Sequence, residues 1–215
     1  MSKILSIFVL PVFLIGLLFY FQFFVPNLTP FSQNQISQIQ NGDIIFIDSG
    51  GAQGQAIRLA TRSKWTHMGI IFIENNEPIV YHAVDPVRKD SLPNFLKYSK
   101  DTKWEIKRLK NTTVLTVSNL EKMKQKAKKL QGLPYDYLFN WGDEEIYCSE
   151  YVWKIYQEIG LKVGELSTLK DFDLTSSIVQ KMLKERYSDQ IPLSEPVIPP
   201  STMFDSELLN TAIKN

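Results

Sequence analysis

The 215-residue chain has one cysteine and two histidines. A single thiol excludes an internal disulfide and any metal site built from several thiolates. Neither sign of charge is in excess, with 24 Lys and Arg against 23 Asp and Glu. Nothing therefore calls for a polyanion, and no nucleic-acid partner is expected. Ten glycines and eleven prolines are too few for a collagen-like or low-complexity chain. No phosphate loop is present: Gly50-Gly51-Ala52-Gln53-Gly54 lacks the Lys-Ser/Thr of a P-loop and the dinucleotide spacing. That stretch reads as a loop beside the site, and no cofactor or metal is expected.

A long apolar run is present. Residues 4–25 span 22 positions without a charge. At about 1.5 Å of rise per residue they cover roughly 30 Å, the apolar thickness of a bilayer. The run ends in Phe23-Phe24-Val25-Pro26, without the small-x-small site of a cleaved signal. Residues 1–25 are expected to be an uncleaved transmembrane anchor. Lys3 precedes the run and the next basic residue is Arg58, so the N-terminus is expected inside. The rest of the chain then lies on the periplasmic side of a bacterial inner membrane. Residues 26–40, polar and Pro-bearing, read as a linker. Residues 41–192 read as the globular domain and 193–215 as a Pro-rich tail, extended at first and helical over Asp205–Lys214.

Within the domain, Asp43–Ile47 reads as a strand and Gln55–Thr61 as a short helix. Met68–Ile73 and Pro78–Val84 read as a hairpin around Asn75-Asn76. Trp104–Leu109 and Thr112–Val117 read as further strands. Ser118-Asn119-Leu120-Glu121 fits a capping box, opening a helix to Gln131 that stops at Gly132. A second helix runs from Tyr147 to Ile159, with Tyr151, Val152, Ile155 and Tyr156 on one buried stripe. Strands first and helices after is an α+β order with an antiparallel sheet.

Cys148 opens that second helix. Free backbone N–H groups and the positive end of the helix dipole favour a thiolate there and can hold an oxyanion. A buried, inert cysteine is the alternative, and Asp143, Glu144 and Glu145 just upstream oppose ionisation. His67 and His82 flank the predicted hairpin. If paired residue numbers sum to 149 the two histidines face each other, and if they sum to 151 they are diagonal neighbours. A sum of 150 puts them on opposite faces. Two registers of three thus give a base, an orienter and a nucleophile: His67 takes the thiol proton and His82 orients His67. A zinc site built from the same three residues is the rival reading, although no fourth ligand stands out.

Asn41-Gly42-Asp43-Ile44-Ile45-Phe46, Trp65-Thr66-His67-Met68-Gly69-Ile70, Tyr81-His82-Ala83, Gly132-Leu133-Pro134-Tyr135-Asp136 and Tyr147-Cys148-Ser149-Glu150, in that order, resemble the YiiX/YebB-like group of permuted NlpC-type, papain-like cysteine hydrolases. The resemblance spans about Asn41 to Gly160. It implies a circularly permuted papain-like fold, with the His-bearing strands before the Cys helix. It also implies Cys148 and His67 as the catalytic pair, His82 as the third member, and no cofactor. Many relatives carry a carboxylate at the third position, and this chain carries His82. Tyr135 and Asp136 match the group's Tyr-Asp pair and are carried as candidate substrate-binding residues, with a structural role as the equal alternative. The expected activity is hydrolysis of an amide, in a cell-wall peptide or an acylated amino compound, through a Cys thioester. Lipid acyl hydrolysis or transfer, and a non-catalytic envelope-binding module, are the alternatives.

Overall fold

A computed structural model describes residues 31–215. The expected transmembrane segment and residues 26–30 of the expected linker lie outside the described residues. In chain order the elements are α1 (Gln33–Ser37), β1 (Ile44–Ser49), α2 (Gly51–Thr61), β2 (His67–Glu74), β3 (Glu77–His82), β4 (Arg88–Ser91), α3 (Leu92–Phe95) and β5 (Ser99–Leu109). They continue with α4 (Val117–Lys129), α5 (Cys148–Gln157), β6 (Ser167–Thr168), α6 (Ser177–Tyr187), β7 (Pro196–Val197), α7 (Pro200–Phe204) and β8 (Leu209–Lys214). Six strands make one antiparallel sheet in the order β4-β3-β2-β1-β5-β8, and β6 pairs with β7 separately.

Near-continuous apolar runs in β1 and β2 follow from burial on both faces. Ile44, Phe46, Met68, Ile70 and Phe72 join a core with α4 and α5. Ile45, Ile47 and Ile71 point the other way, against Leu92, Phe95 and Trp104. The β2–β3 turn is built on Asn75 and Asn76, both at positive φ (50° and 65°), the geometry a tight two-residue hairpin requires and Asn tolerates. The ladder pairs Ile70 with Tyr81 and Ile71 with Val80. The paired numbers therefore sum to 151, one of the two registers that bring the histidines together. Gly69 allows the close approach this needs: a Cβ there would lie 2.5 Å from Val80 Cγ1 and 2.9 Å from the Tyr81 carbonyl oxygen.

The family-like Asn41-Gly42-Asp43 stretch is structural. Asn41 Oδ1 accepts from the Ile73 N–H at 2.8 Å. Asp43 is fully buried and takes a bidentate grip from Arg108, with both N–O distances 2.7 Å. The Tyr156 hydroxyl donates to the Gly42 carbonyl, tying α5 to the entry of β1. The other α5 aromatics are core as expected: Tyr151 donates to Ala127 O and Trp153 to Gly164 O.

Several local expectations are corrected. Thr112–Val117 is no strand. The Asn111 side chain accepts from Thr113 N–H and turns Thr112–Val114 into a 3₁₀ turn, a local competition that Asn wins over β-branched composition. The cap of α4 is Thr116, whose Oγ1 accepts from Asn119 N–H at 3.2 Å, rather than Ser118. Helix α2 begins at Gly51, four residues earlier than expected. The expected terminal helix over Asp205–Lys214 is largely strand β8, which pairs with β5. Leu209 and Ile213 are buried while Asn210 and Thr211 are exposed, so packing decided the period. The tail is thus part of the sheet, and the folded body does not end at residue 192. It does not begin at 41 either: Phe31 is buried and stacks on Trp104 at 4.0 Å.

Candidate active site

Cys148 is the first residue of α5, after the extended N-cap Tyr147. The helix packs on one face of the sheet, and its N-terminus reaches the start of β2. The β2–β3 ladder ends at Ile70–Tyr81. Beyond it the Met68 N–H points at the sulfur, as do the N–H groups of Ser149 and Cys148 itself. These donors favour the thiolate, yet burial outweighs them and pushes the thiol up to about 11. The Ser149 hydroxyl sits beside the sulfur, buried and without a full hydrogen bond.

His67, the chain neighbour of Met68, begins β2 and is 6% exposed. Its Nε2 lies 3.0 Å from His82 Nδ1. Phe95 stacks on the His67 ring at 5.5 Å, and Tyr98 lies edge-on to His82 at 5.3 Å. Burial first, and the charge of His82 second, hold His67 well below the usual histidine range. Burial also pulls His82 down to about 4, against the opposing pull of Asp90. Burial thus pushes the thiol and both imidazoles toward their neutral forms. Among the described residues no hydrogen bond joins Cys148 Sγ to either ring, and none occupies His67 Nδ1.

The sequence reading missed Asp90, whose Oδ2 lies 3.1 Å from His82 Nε2. It sits on β4, four charged or polar residues without alternation that form a strand only by pairing with β3. The turn signal Asp85-Pro86 could have pointed to it, because a hairpin there brings residues 82 and 90 together.

Tyr135 and Asp136 separate. Tyr135 lines two openings: a cavity of about 90 Å3 that contains Cys148, and a cleft of about 340 Å3 that contains His67. Gln53 donates to the Tyr135 hydroxyl at 2.9 Å and is itself held by Arg186 at 2.8 Å, so that hydroxyl keeps its own proton to give. Its closeness to Cys148, after burial, pushes the Tyr135 phenol up. Asp136, in contrast, lines neither opening. Its Oδ1 accepts from Leu138 N–H at 2.7 Å and closes the loop that follows, and the residue lines a separate opening with Asn140 and Asp143. Gly50, Gln53 and Gly54 line the His67 cleft, but from the N-cap and first turn of α2 rather than from the expected loop. Gly54 must be Gly, because a Cβ there would meet Ser49 O at 2.2 Å.

The walls of the Cys148 cavity come from distant segments: Ile57 of α2, Leu169 and Phe172 of the loop after β6, and Val197 to Pro200 of the tail. Tyr147 anchors that tail through its hydroxyl, which accepts from Ile198 N–H at 3.1 Å.

Residues 38–211 match the family described as permuted papain-like amidase enzyme, YaeF/YiiX, C92 family. The YiiX protein of Escherichia coli strain K12 is 43% identical over 178 residues, covering 82% of this chain and 87% of that protein. A crystal structure titled metalloprotein yiiX, from Escherichia coli O157:H7, is similar with a TM-score of 0.78 at 42% identity, covering 83% of this chain and 98% of that one. A helix that brings its cysteine to the histidine-bearing end of an antiparallel sheet, with the histidines first in the chain, is the permuted order, and the chain belongs to the permuted papain-like amidase family of the YaeF/YiiX, C92 type.

Proposed function

We propose that the protein cleaves an amide through a thioester on Cys148, with an apolar acyl group held beside the sulfur and the amine half in the cleft at His67. The observation that supports this is the division of the site. Cys148 opens onto a cavity walled by Ile57, Leu169, Phe172, Ile198 and prolines, without either histidine. His67 lines a separate cleft with Ser49, Gln53, Thr66 and Asp85. The group that protonates the leaving amine must stand beside it, so the amine belongs in the histidine cleft and the acyl chain in the apolar cavity. A second apolar hollow of about 70 Å3 shares Ile57, Ala60, Phe139, Leu169 and Phe172 and reaches Val179 and Leu183 of α6.

Once substrate is bound, His67 Nδ1 takes the Cys148 proton and the sulfur attacks the carbonyl carbon. The oxyanion meets the Cys148 N–H, which has no intrahelical acceptor, and the Tyr135 O–H. His67 then gives its proton to the amine, the C–N bond breaks, and a thioester remains. Water, deprotonated by His67, releases the acid. Among the described residues no three His, Cys, Asp or Glu side chains converge on a metal position. His67 bonds to His82, and His82 in turn to Asp90. Near the acidic 143–145 stretch, Lys154 lies 2.8 Å from both Asp143 and Glu150.

The expected result is that kcat/KM for a series of N-acyl amides rises by about 3- to 4-fold per added methylene, the transfer free energy of one CH₂, until the cavity is full. A flat series, or a preference for polar peptides, would remove the acyl assignment. A matching series of oxygen esters, with alcohol or amine acceptors added, separates amidase from lipid hydrolase or transferase activity.

We further propose that residues 4–25 anchor the protein in a bacterial cytoplasmic membrane with its catalytic body outside, supported by 22 uncharged positions preceded by Lys3. The full-length chain is expected to stay in membranes through alkaline carbonate washing and to be cut by protease only after the outer face is exposed. Release by carbonate rejects the anchor.

A further inference from the structure

His82 turns its outer nitrogen to a residue outside the Cys–His–His set. Asp90 Oδ2 lies 3.1 Å from His82 Nε2, and Arg88 Nε donates to the same oxygen at 3.1 Å. The β3–β4 register pairs His82 with Arg88 and Val80 with Asp90, so the carboxylate is the diagonal neighbour on the histidine's face. The His82 side chain is fully buried and that of Asp90 is 16% exposed.

We propose that Asp90 is the positioning residue that fixes the tautomers of both imidazoles and thereby leaves Nδ1 of His67 as the proton acceptor. This rests on the reading of His67 as the base. Only one proton fits between His67 Nε2 and His82 Nδ1, 3.0 Å apart. If His82 Nδ1 supplies it, the neutral His82 ring has a bare Nε2 facing Asp90 Oδ2, and two acceptors stand in contact. Arg88, always a donor, already marks that oxygen as an acceptor. If His67 Nε2 supplies it instead, His82 keeps its proton on Nε2 and donates to Asp90, and every group is paired. Which nitrogen of a histidine carries the proton is set by the bond the other nitrogen makes; here that rule acts twice in series. Phe95 on the His67 ring and Tyr98 against His82 oppose the ring flips that would undo it. The bare Nδ1 of His67 is the atom the thiol proton needs. When His67 becomes an imidazolium, the same chain of bonds links it to the carboxylate.

With two histidines in the chain, side-chain ¹⁵N–¹H correlation spectra of the full-length protein at neutral pH read the tautomers directly. The expected result is a proton on Nε2 of both rings and none on either Nδ1. A proton on Nδ1 of His67 or of His82 overturns the proposal, and this reading needs no variant to fold. In Asp90→Asn the side-chain amide can donate as well as accept, so the single tautomer is lost. The kcat/KM for an amide is then expected to fall about 10²-fold, with KM little changed and partial recovery in Asp90→Glu. Unchanged tautomers and rate in Asp90→Asn also overturn it. Full activity of a Cys148→Ala protein removes the amidase reading instead, and the spectra then still decide the tautomers.

Discussion

Replacing Cys148 by Ala is expected to lower kcat for amide hydrolysis by about 10³-fold or more, because the step that forms the thioester loses its nucleophile. Folding should change little, since one sulfur is removed from an otherwise intact core and the cost is about 1 kcal/mol. Wild-type protein, stopped during turnover, should carry the acyl mass on Cys148, and the variant should carry none. Near-normal turnover in the variant would reject the mechanism whatever the fold. The pH profile gives an independent check. His67 must be neutral to act as a base, and burial holds it well below the usual range. The sign is therefore that kcat/KM stays level as pH falls through 6.5 and drops only further into acid. The thiol, pushed up to about 11 by burial, means that the folded, substrate-free protein should react with iodoacetamide at pH 7 more slowly than a free cysteine. A resting thiolate would react faster.

The second large effect is on stability, at Arg108. Asp43 is wholly buried and its carboxylate is raised by that burial, although Arg108 and the Gln40 N–H oppose the rise. Burial thus costs the carboxylate more than its partners return. Removing only the guanidinium in Arg108→Ala leaves a buried charge without its counter-ion, an expected loss of about 3–5 kcal/mol. For a body of this size that is a fall in Tm of about 10 °C, measured by calorimetry. The pair Asp43→Asn with Arg108→Met should recover much of the loss, because it removes both charges and keeps the volume. If the single variant melts like wild type, or the double variant is worse than the single one, the buried pair is not what holds the entry of β1. The Asn-Gly-Asp stretch therefore matters for the fold, and the site depends on it indirectly through the position of β2.

Much of the site was legible from residue scarcity and from periods. One cysteine and two histidines limit the possible catalytic sets, and the antiparallel hairpin with side chains of period two makes His67 and His82 neighbours in two registers of three. Asn75-Asn76 closes the hairpin by local backbone preference, and the start of α5 is written in the apolar stripe that follows Cys148. These features follow from local backbone preference and side-chain period, which is why the sequence narrowed them to few alternatives.

Other features were decided by contacts across the chain. The strand β4 has no apolar period, so Asp90 reached His82 only because β3 supplied a ladder for it. Leu209–Lys214 became a strand because β5 offered an edge, where the local sequence read as a helix. Which way the loop after Asp136 folded decided that Tyr135 and Asp136 line different openings. The cavity beside the sulfur needs α2, the loop after β6 and the tail at once. Burial of that sulfur, and with it the upward push on its thiol, is a property of the packed whole: desolvation depends on every neighbour, and no local pattern encodes it.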